Sequence, residues 1–493
     1  MQFQKQEVTC LEQCLSRIQT LEQTQEIPLP EGGEGRVLGT WGQAVMRGKE
    51  WLTDSIRLTG GVQVWVLYET EGGKLQCLSS YIPFRMDWDL PEGTREGWVR
   101  IRPAVRSIDA RPVSAGKLLI RAGISALAEG YCRAAVTVFS PEGSCPEAEL
   151  LKTQWPVRLR REAGEKAFSL EEDLTLPESV PPVRDLLSWQ LDTKVTDQKI
   201  LGNRILFRGM GNLHVVYLSP EGQLRCWNFE LPFSQYSELE TACGADARGD
   251  IALAVTRLEL EADEGGKLHL RSGLTGQYLV EDCQILETVE DAYSPYREIT
   301  FQKDVLTLPV LLDSCREPMT SRQTLQISAD VIADQVFYPD FPRQHREGEK
   351  ICISQPGAVQ ILYYDPEGRL QGSVSRLEAK TELRLDREGS LTAVTGEAHL
   401  QLRPGRDNLE LCAETELETV AFARQKIPMI TGIEPGERRK AVEDRPSLVL
   451  CRMGDRRLWD LAREKGSTVS AIREANDLSG EPEKDRILLI PVV

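Results

Sequence analysis

With 493 residues, 41% of them hydrophobic and 27% charged, the chain has the composition of a folded protein and room for three to five domains. A net charge of −17 leaves no basic field for nucleic acid or an anionic membrane surface. No apolar run reaches the roughly 18 residues of a membrane span, and the start, Met1-Gln2-Phe3-Gln4-Lys5-Gln6-Glu7, lacks a signal peptide's basic and apolar regions, so a cytoplasmic protein is expected.

Taken in order, Val8, Leu11, Leu15 and Ile18 have helical spacing, which predicts a helix in an N-terminal segment, 1–25. A unit then recurs every 146 to 150 residues or so. Its clearest part is a β-hairpin, from Val64-Trp65-Val66-Leu67-Tyr68 through Gly73-Lys74-Leu75. The second copy runs from His214-Val215-Val216-Tyr217 through Gly222-Gln223-Leu224, and the third from Gln360-Ile361-Leu362-Tyr363 through Gly368-Arg369-Leu370. Leu29-Pro30-Glu31, Leu38 and Trp41 recur as Leu176-Pro177-Glu178, Leu186 and Trp189. Lys117-Leu118-Leu119-Ile120-Arg121 recurs as Lys267-Leu268-His269-Leu270-Arg271, and the third copy keeps Asn408-Leu409-Glu410-Leu411. Short alternating strands such as Ala413 to Val420 place one face on a core and the other in water.

The fold class read from this is mainly β: three tandem β-sandwich-like units, 26–165, 166–300 and 301–430. A charged linker, 431–446, and a small α+β module, 447–493, follow. In the module a strand holds Leu448 and Leu450, and Asp455 is a candidate cap for a helix carrying Leu458, Leu461 and Ala462 up to Lys465-Gly466. Thr468 caps a second helix with Val469, Ile472 and Ala475, and Ile487 to Pro491 close a βααβ pattern.

Tyr68, Tyr217 and Tyr363 share one place in the repeat, which predicts rings in the core with hydroxyls satisfied at its edge. The twelve cysteines are scattered without a Cys-x-x-Cys pair, as buried free thiols in a reducing compartment would be. His214, His269, His345 and His399 are isolated and form no zinc-ligand spacing. No phosphate-cradling loop, Gly-x-Ser-x-Gly elbow or His-Glu-x-x-His helix is present, so neither a catalytic site nor a cofactor or metal is expected. Arg248-Gly249-Asp250 reads as a plain turn.

The Leu-Pro-Glu leaders, the hairpins, Ile82-Pro83-Phe84, Leu231-Pro232-Phe233 and Asp291-Ala292-Tyr293-Ser294-Pro295 resemble the SPOCS domain of endospore-forming bacteria, over about residues 26 to 430. Gly454-Asp455-x-x-Leu458-Trp459-Asp460-Leu461-Ala462 with Asn476-Asp477-Leu478 resembles the LysM domain, a non-catalytic module that mostly binds N-acetylglucosamine polymers. Three SPOCS units before one LysM domain are similar to the architecture of the SipL family of clostridial sporulation morphogenetic proteins. The resemblance implies a scaffold in the mother-cell cytoplasm, at the forespore surface, with LysM binding a spore coat ATPase such as SpoIVA. Other coat proteins are further partners it implies.

The module departs from the glycan-binding pattern: Arg456 and Arg457 follow Gly-Asp where threonine is usual, and Lys484-Asp485-Arg486 replaces a Pro-Gly-Gln turn. It holds eight Lys/Arg and eight Asp/Glu, so it is neutral on an acidic chain, with Arg438, Arg439 and Lys440 just before it. That favours an acidic protein surface over sugar, and the candidate partner-binding residues are Asp455, Arg456, Arg457, Trp459, Asn476 and Leu478. Trp459 either covers the edge of the module core or anchors a partner. The alternative is a peptidoglycan- or cortex-binding protein; an enzyme hidden among the sandwiches ranks third.

Overall fold

The computed structural model describes residues 3–29, 35–114, 116–141, 147–384, 389–439 and 446–492. Pro30 and Glu31 of the first leader and Lys440 of the basic linker lie outside them. The protein is mainly β, as the alternation of its sequence requires.

The first unit holds β1 (Phe3–Pro28), β2 (Gly35–Trp51), β3 (Ser55–Thr70), β4 (Leu75–Asp89), β5 (Gly97–Ser114) and β6 (Lys117–Pro141). They form two antiparallel sheets, β2-β3-β4 and β1-β6-β5. Val62, Val64 and Val66 of the first face Ile101, Ile120, Ala122 and Ile124 of the second across a shared core. The second unit repeats this with β7 (Glu149–Leu174), β8 (Asp185–Leu201), β9 (Arg204–Leu218), β10 (Leu224–Glu238), β11 (Arg248–Ala262) and β12 (Leu268–Tyr293). Its sheets are β8-β9-β10 and β7-β12-β11. The third holds β13 (Arg297–Leu325), β14 (Val331–Pro339), β15 (Arg343–Glu347), β16 (Lys350–Tyr364), β17 (Leu370–Arg384), β18 (Gly389–Pro404) and β19 (Leu409–Arg438). There β14 and β15 share one flank of β16, in place of a single second strand. The hairpin turns carry Gly73, Gly222 and Gly368 at φ of 74°, 82° and 74°, the left-handed region that suits glycine.

The helix expected in 1–25 is a strand. β1 pairs with β6 along nearly its whole length, from Phe3–Pro141 to Pro28–Lys117. A register shift between Gln13 and Leu15 changes the phase of its alternation, so Val8 and Cys10 face inward before it and Leu15, Leu21 and Ile27 after it. The offset puts Val8 and Leu15 both inward, seven residues apart as on a helix, but leaves Ile18 37% exposed. Each unit likewise begins with a long strand ahead of its leader, so the joints fall near 141/149 and 293/297, and 431–438 belongs to β19. Arg248-Gly249-Asp250 is also no turn; it opens β11, paired with Glu281, Val280 and Leu279.

The long strands, 26 to 30 residues in β1, β7, β12, β13 and β19, far exceed the usual five or six. Beyond the ends of β5, β11 and β18, the antiparallel pairs β1/β6, β7/β12 and β13/β19 continue as two-stranded ribbons. Isolated ribbons are marginal, but these three share a core: Cys10, Val136 and Val138 meet Val157, Leu159, Leu286, Leu308 and Ile427. Cys14 and Cys132, apart in sequence, lie with their sulfurs 3.1 Å apart in the β1/β6 ladder. The eleven described cysteines are free thiols.

The units contact one another cyclically, as three-fold arrangements do. β4 lies on β8, β10 on β14, and β17 on β2. The residue three before the repeated tyrosine reaches across each junction. Trp65 packs edge-on against Trp189, their ring centres 5.0 Å apart. His214 Nε2 lies 2.8 Å from Asp334 Oδ1, and Gln360 Oε1 accepts from Thr40 Oγ1 at 2.8 Å. At the β17–β2 contact a Cβ on Gly372 would meet the Leu38 carbonyl oxygen at 1.7 Å, so only glycine allows this approach. The repeated Tyr68 and Tyr217 are buried, their hydroxyls donating to Gln76 and to the Pro181 carbonyl.

Candidate functional site: the C-terminal module and its seat

The chain ends with β20 (Leu448–Arg452), α1 (Leu458–Lys465), α2 (Val469–Ala475) and β21 (Ile487–Pro491), the two strands pairing antiparallel. Leu458, Leu461, Ala462, Ile472, Leu488 and Ile490 form its core. Gly466 ends α1 at φ 64°, and Thr468 Oγ1 accepts from the Ala471 N–H at 3.1 Å, as the sequence predicts. Asp455, however, does not cap α1. The helix starts after Arg457, and the Leu458 N–H donates to Glu481 Oε2 at 3.0 Å, a cap from the opposite loop.

Of the six candidate partner-binding residues, three are structural. Asn476 donates from Nδ2 to the Ile472 and Leu489 carbonyls at 2.8 and 2.6 Å and accepts from the Leu489 N–H at 2.8 Å, clipping α2 to β21. Leu478 packs on the module core. Trp459 is 6% exposed and faces the rest of the chain. Its ring stands edge-on to Tyr293 with centres 4.7 Å apart, and its Nε1 donates to Asp291 Oδ2 at 3.1 Å. Arg463 donates to the same carboxylate at 2.7 Å, and the Tyr293 hydroxyl to the Ser467 carbonyl at 3.0 Å. The Asp291-Ala292-Tyr293 string at the end of β12 is therefore the seat of the module.

Trp459 thus anchors an intramolecular contact, which neither alternative read from the sequence named. Trp459→Ala removes the ring from a contact worth about 3–5 kcal/mol in buried sites. The variant is expected to loosen the module, read as faster amide exchange in α1, with exchange in β3 and β9 unchanged.

Asp455, Arg456 and Arg457 stay on the surface but are engaged locally. Asp455 pairs with Lys484 at 2.6 Å, Arg456 with Glu464 at 2.6 Å and Arg457 with Asp460 at 3.2 Å. The Gly454 N–H donates to the Lys484 carbonyl at 2.8 Å, so the 453–457 and 476–486 loops are tied together by backbone and ion pair. On the opposite face of the two strands, Leu448, Leu450 and Ile487 are 53%, 72% and 64% exposed. They share that face with half-buried Leu489 and Pro491. Exposed large apolar side chains gathered on one face mark a contact surface.

Two of the cavities between the sandwiches gather ionisable side chains. One of about 730 Å³ is bordered by Asp192, His214, Asn228, Glu230, Tyr338 and His399. Burial opposes charge on His214, but the Asp334 carboxylate, assisted by Asn228, outweighs it and pushes its pKa up to about 9. Nδ1 lies 2.6 Å from Asn228 Oδ1, so both ring nitrogens of the imidazolium donate and neither can take a proton. The other, about 410 Å³, is lined by Arg100, Arg102, Arg160, Arg248 and Arg316 with Glu129, Asp250, Glu281 and Glu418. Asp250 is 55% exposed although it lies deep between units, because its carboxylate borders this cavity. Burial raises its pKa, but Arg100 and Arg102 overcome that and bring it down to about 2. Sequence reading missed both clusters, since their members come from different repeats; the one available signal was polar His214 and Gln360 at the place where the first copy has Trp65.

Among the described residues, no helix is long and apolar enough to cross a membrane. Comparison with protein-family models, with curated proteins and with solved structures finds no match to this chain.

Proposed function

We propose that the chain is a non-enzymatic scaffold of the sporulating mother cell, similar to SipL-type morphogenetic proteins, acting at the forespore surface in assembly of the spore coat. The three sandwiches form its body, and the LysM-like module binds a coat ATPase such as SpoIVA through the open face of β20 and β21. One observation carries this reading: Leu448, Leu450 and Ile487 are exposed together on the open face of the two strands. Apolar side chains beside Arg452, which is itself paired with Asp485, suit a protein surface better than a polar glycan.

The test is co-purification of the full chain with the ATPase, beside co-sedimentation with peptidoglycan. Leu450→Glu with Ile487→Glu is expected to abolish capture of the ATPase, because two charges would have to be desolvated at the contact, and to leave the fold intact, because both side chains point to water. Pelleting with peptidoglycan without capture of the ATPase by the unaltered chain would overturn the reading in favour of wall binding.

A further inference from the structure

We propose that His345, Glu347 and Cys352 form a surface site for a borderline divalent cation, Zn²⁺, on the β15/β16 hairpin. The site stands apart from the module and does not depend on the functional reading above.

Directly paired residues of an antiparallel ladder share a face, and residues two apart on one strand do as well. His345 pairs with Cys352, and Glu347 pairs with Lys350 across a two-residue turn. Gly348 takes φ 65° in that turn, which holds the two strands in tight register. His345, Glu347 and Cys352 therefore project together. Their neighbours Ile351 and Ile353 point the other way, into the core with Met319 and Leu417, and fix the orientation of Cys352. The candidate ligand atoms all lie within 4.8 Å of one another, and His345 Nε2 is 3.0 Å from Glu347 Oε1. A tetrahedral zinc centre spaces its ligand atoms roughly 3.5 Å apart, which rotation of exposed side chains on this rigid ladder can reach.

The donor set selects the ion. One imidazole, one thiolate and one carboxylate suit Zn²⁺, whereas Mg²⁺ and Ca²⁺ want oxygen alone. Three protein ligands leave the fourth position to water. Binding displaces the thiol proton of Cys352 to solvent, so affinity rises with pH. Lys350, opposite Glu347, pairs with Glu382 at 2.9 Å, and its charge also reaches Glu347 and Cys352. The sequence hid this arrangement because the ligands are spaced His-x-Glu and then five residues to Cys, which becomes a cluster only when the hairpin folds back.

Co²⁺ is the probe, added to the full-length chain, because its spectrum reports sulfur ligation and geometry directly. One equivalent is expected to give thiolate-to-cobalt charge transfer and the visible bands of a tetrahedral ion, both discharged by Zn²⁺. Cys352→Ser is expected to remove the charge transfer, and His345→Ala to weaken binding by more than about tenfold. Circular dichroism checks that both variants keep the fold, as outward-facing substitutions should. No charge transfer in the unaltered chain, or a band that survives Cys352→Ser, would overturn the proposal.

Discussion

Replacing Asp334 by Leu is expected to cost about 3–5 kcal/mol, the usual penalty for stripping one partner from a buried charge pair. Asp334 is 3% exposed, and its carboxylate joins all three units. It accepts from Trp41 Nε1 of the first at 2.8 Å and from His214 Nε2 of the second at 2.8 Å. Leucine leaves an indole N–H without its acceptor and a cation without its counter-charge. The same contact predicts a pH dependence. The folded pKa of His214, about 9, lies above the ordinary value of 6.5, so protonation stabilises the fold. That contribution, about 3 kcal/mol, is complete below roughly pH 6.5 and is lost as the pH rises through about 9. Denaturation midpoints should fall over that interval in the unaltered chain and show no such fall in Asp334→Leu. An imidazole titration of His214 near 6.5 in the unaltered chain, by NMR, would sink the account.

Arg100→Leu should be comparably severe for a different reason. Arg100 and Glu129 have side chains 4% and 3% exposed, joined by two hydrogen bonds of 2.7 and 3.0 Å, and Arg100 also reaches Asp250 of the second unit at 2.6 Å. Leucine fills the space but leaves Glu129 with only the Tyr131 hydroxyl at 3.2 Å and Arg102 at 4.0 Å. A loss of about 3–5 kcal/mol is expected by calorimetry. Removing the stranded charge as well, in Arg100→Leu with Glu129→Leu, should restore a large part of it, because the penalty comes from an unpaired buried ion. A double variant no more stable than the single one would show that the loss comes from the Arg100 contact with Asp250 of the second unit and not from a stranded Glu129.

The β class, the hairpins and the module were legible because each is written in neighbouring residues. Gly73, Gly222 and Gly368 mark turns wherever they stand, and Thr468 and Gly466 mark helix ends. What stayed hidden depends on partners far along the chain. Val8 and Leu15 look helical because nothing local reveals the bulge between Gln13 and Leu15, and the first strand of each unit earns its place only against the last. Trp459 was open between two roles because its acceptor, Asp291, is 168 residues away. Asn476 belongs to a motif that reads as a binding signature, yet its amide is spent on the Leu489 backbone. Motif residues in a small module are often its framework, and the exposed Leu450, which no motif contains, carries the more direct sign of contact.

The cyclic junctions have a consequence for how this assembly responds to dilution. Three separate subunits would come apart as their concentration fell, by mass action. Here the three copies share one backbone, so each meets its neighbours at the effective concentration set by a few connecting residues. The junctions are thereby released from having to be identical or individually tight. One is an aromatic contact, one an ion pair and one an amide–hydroxyl bond, and each can diverge alone without dissolving the ring.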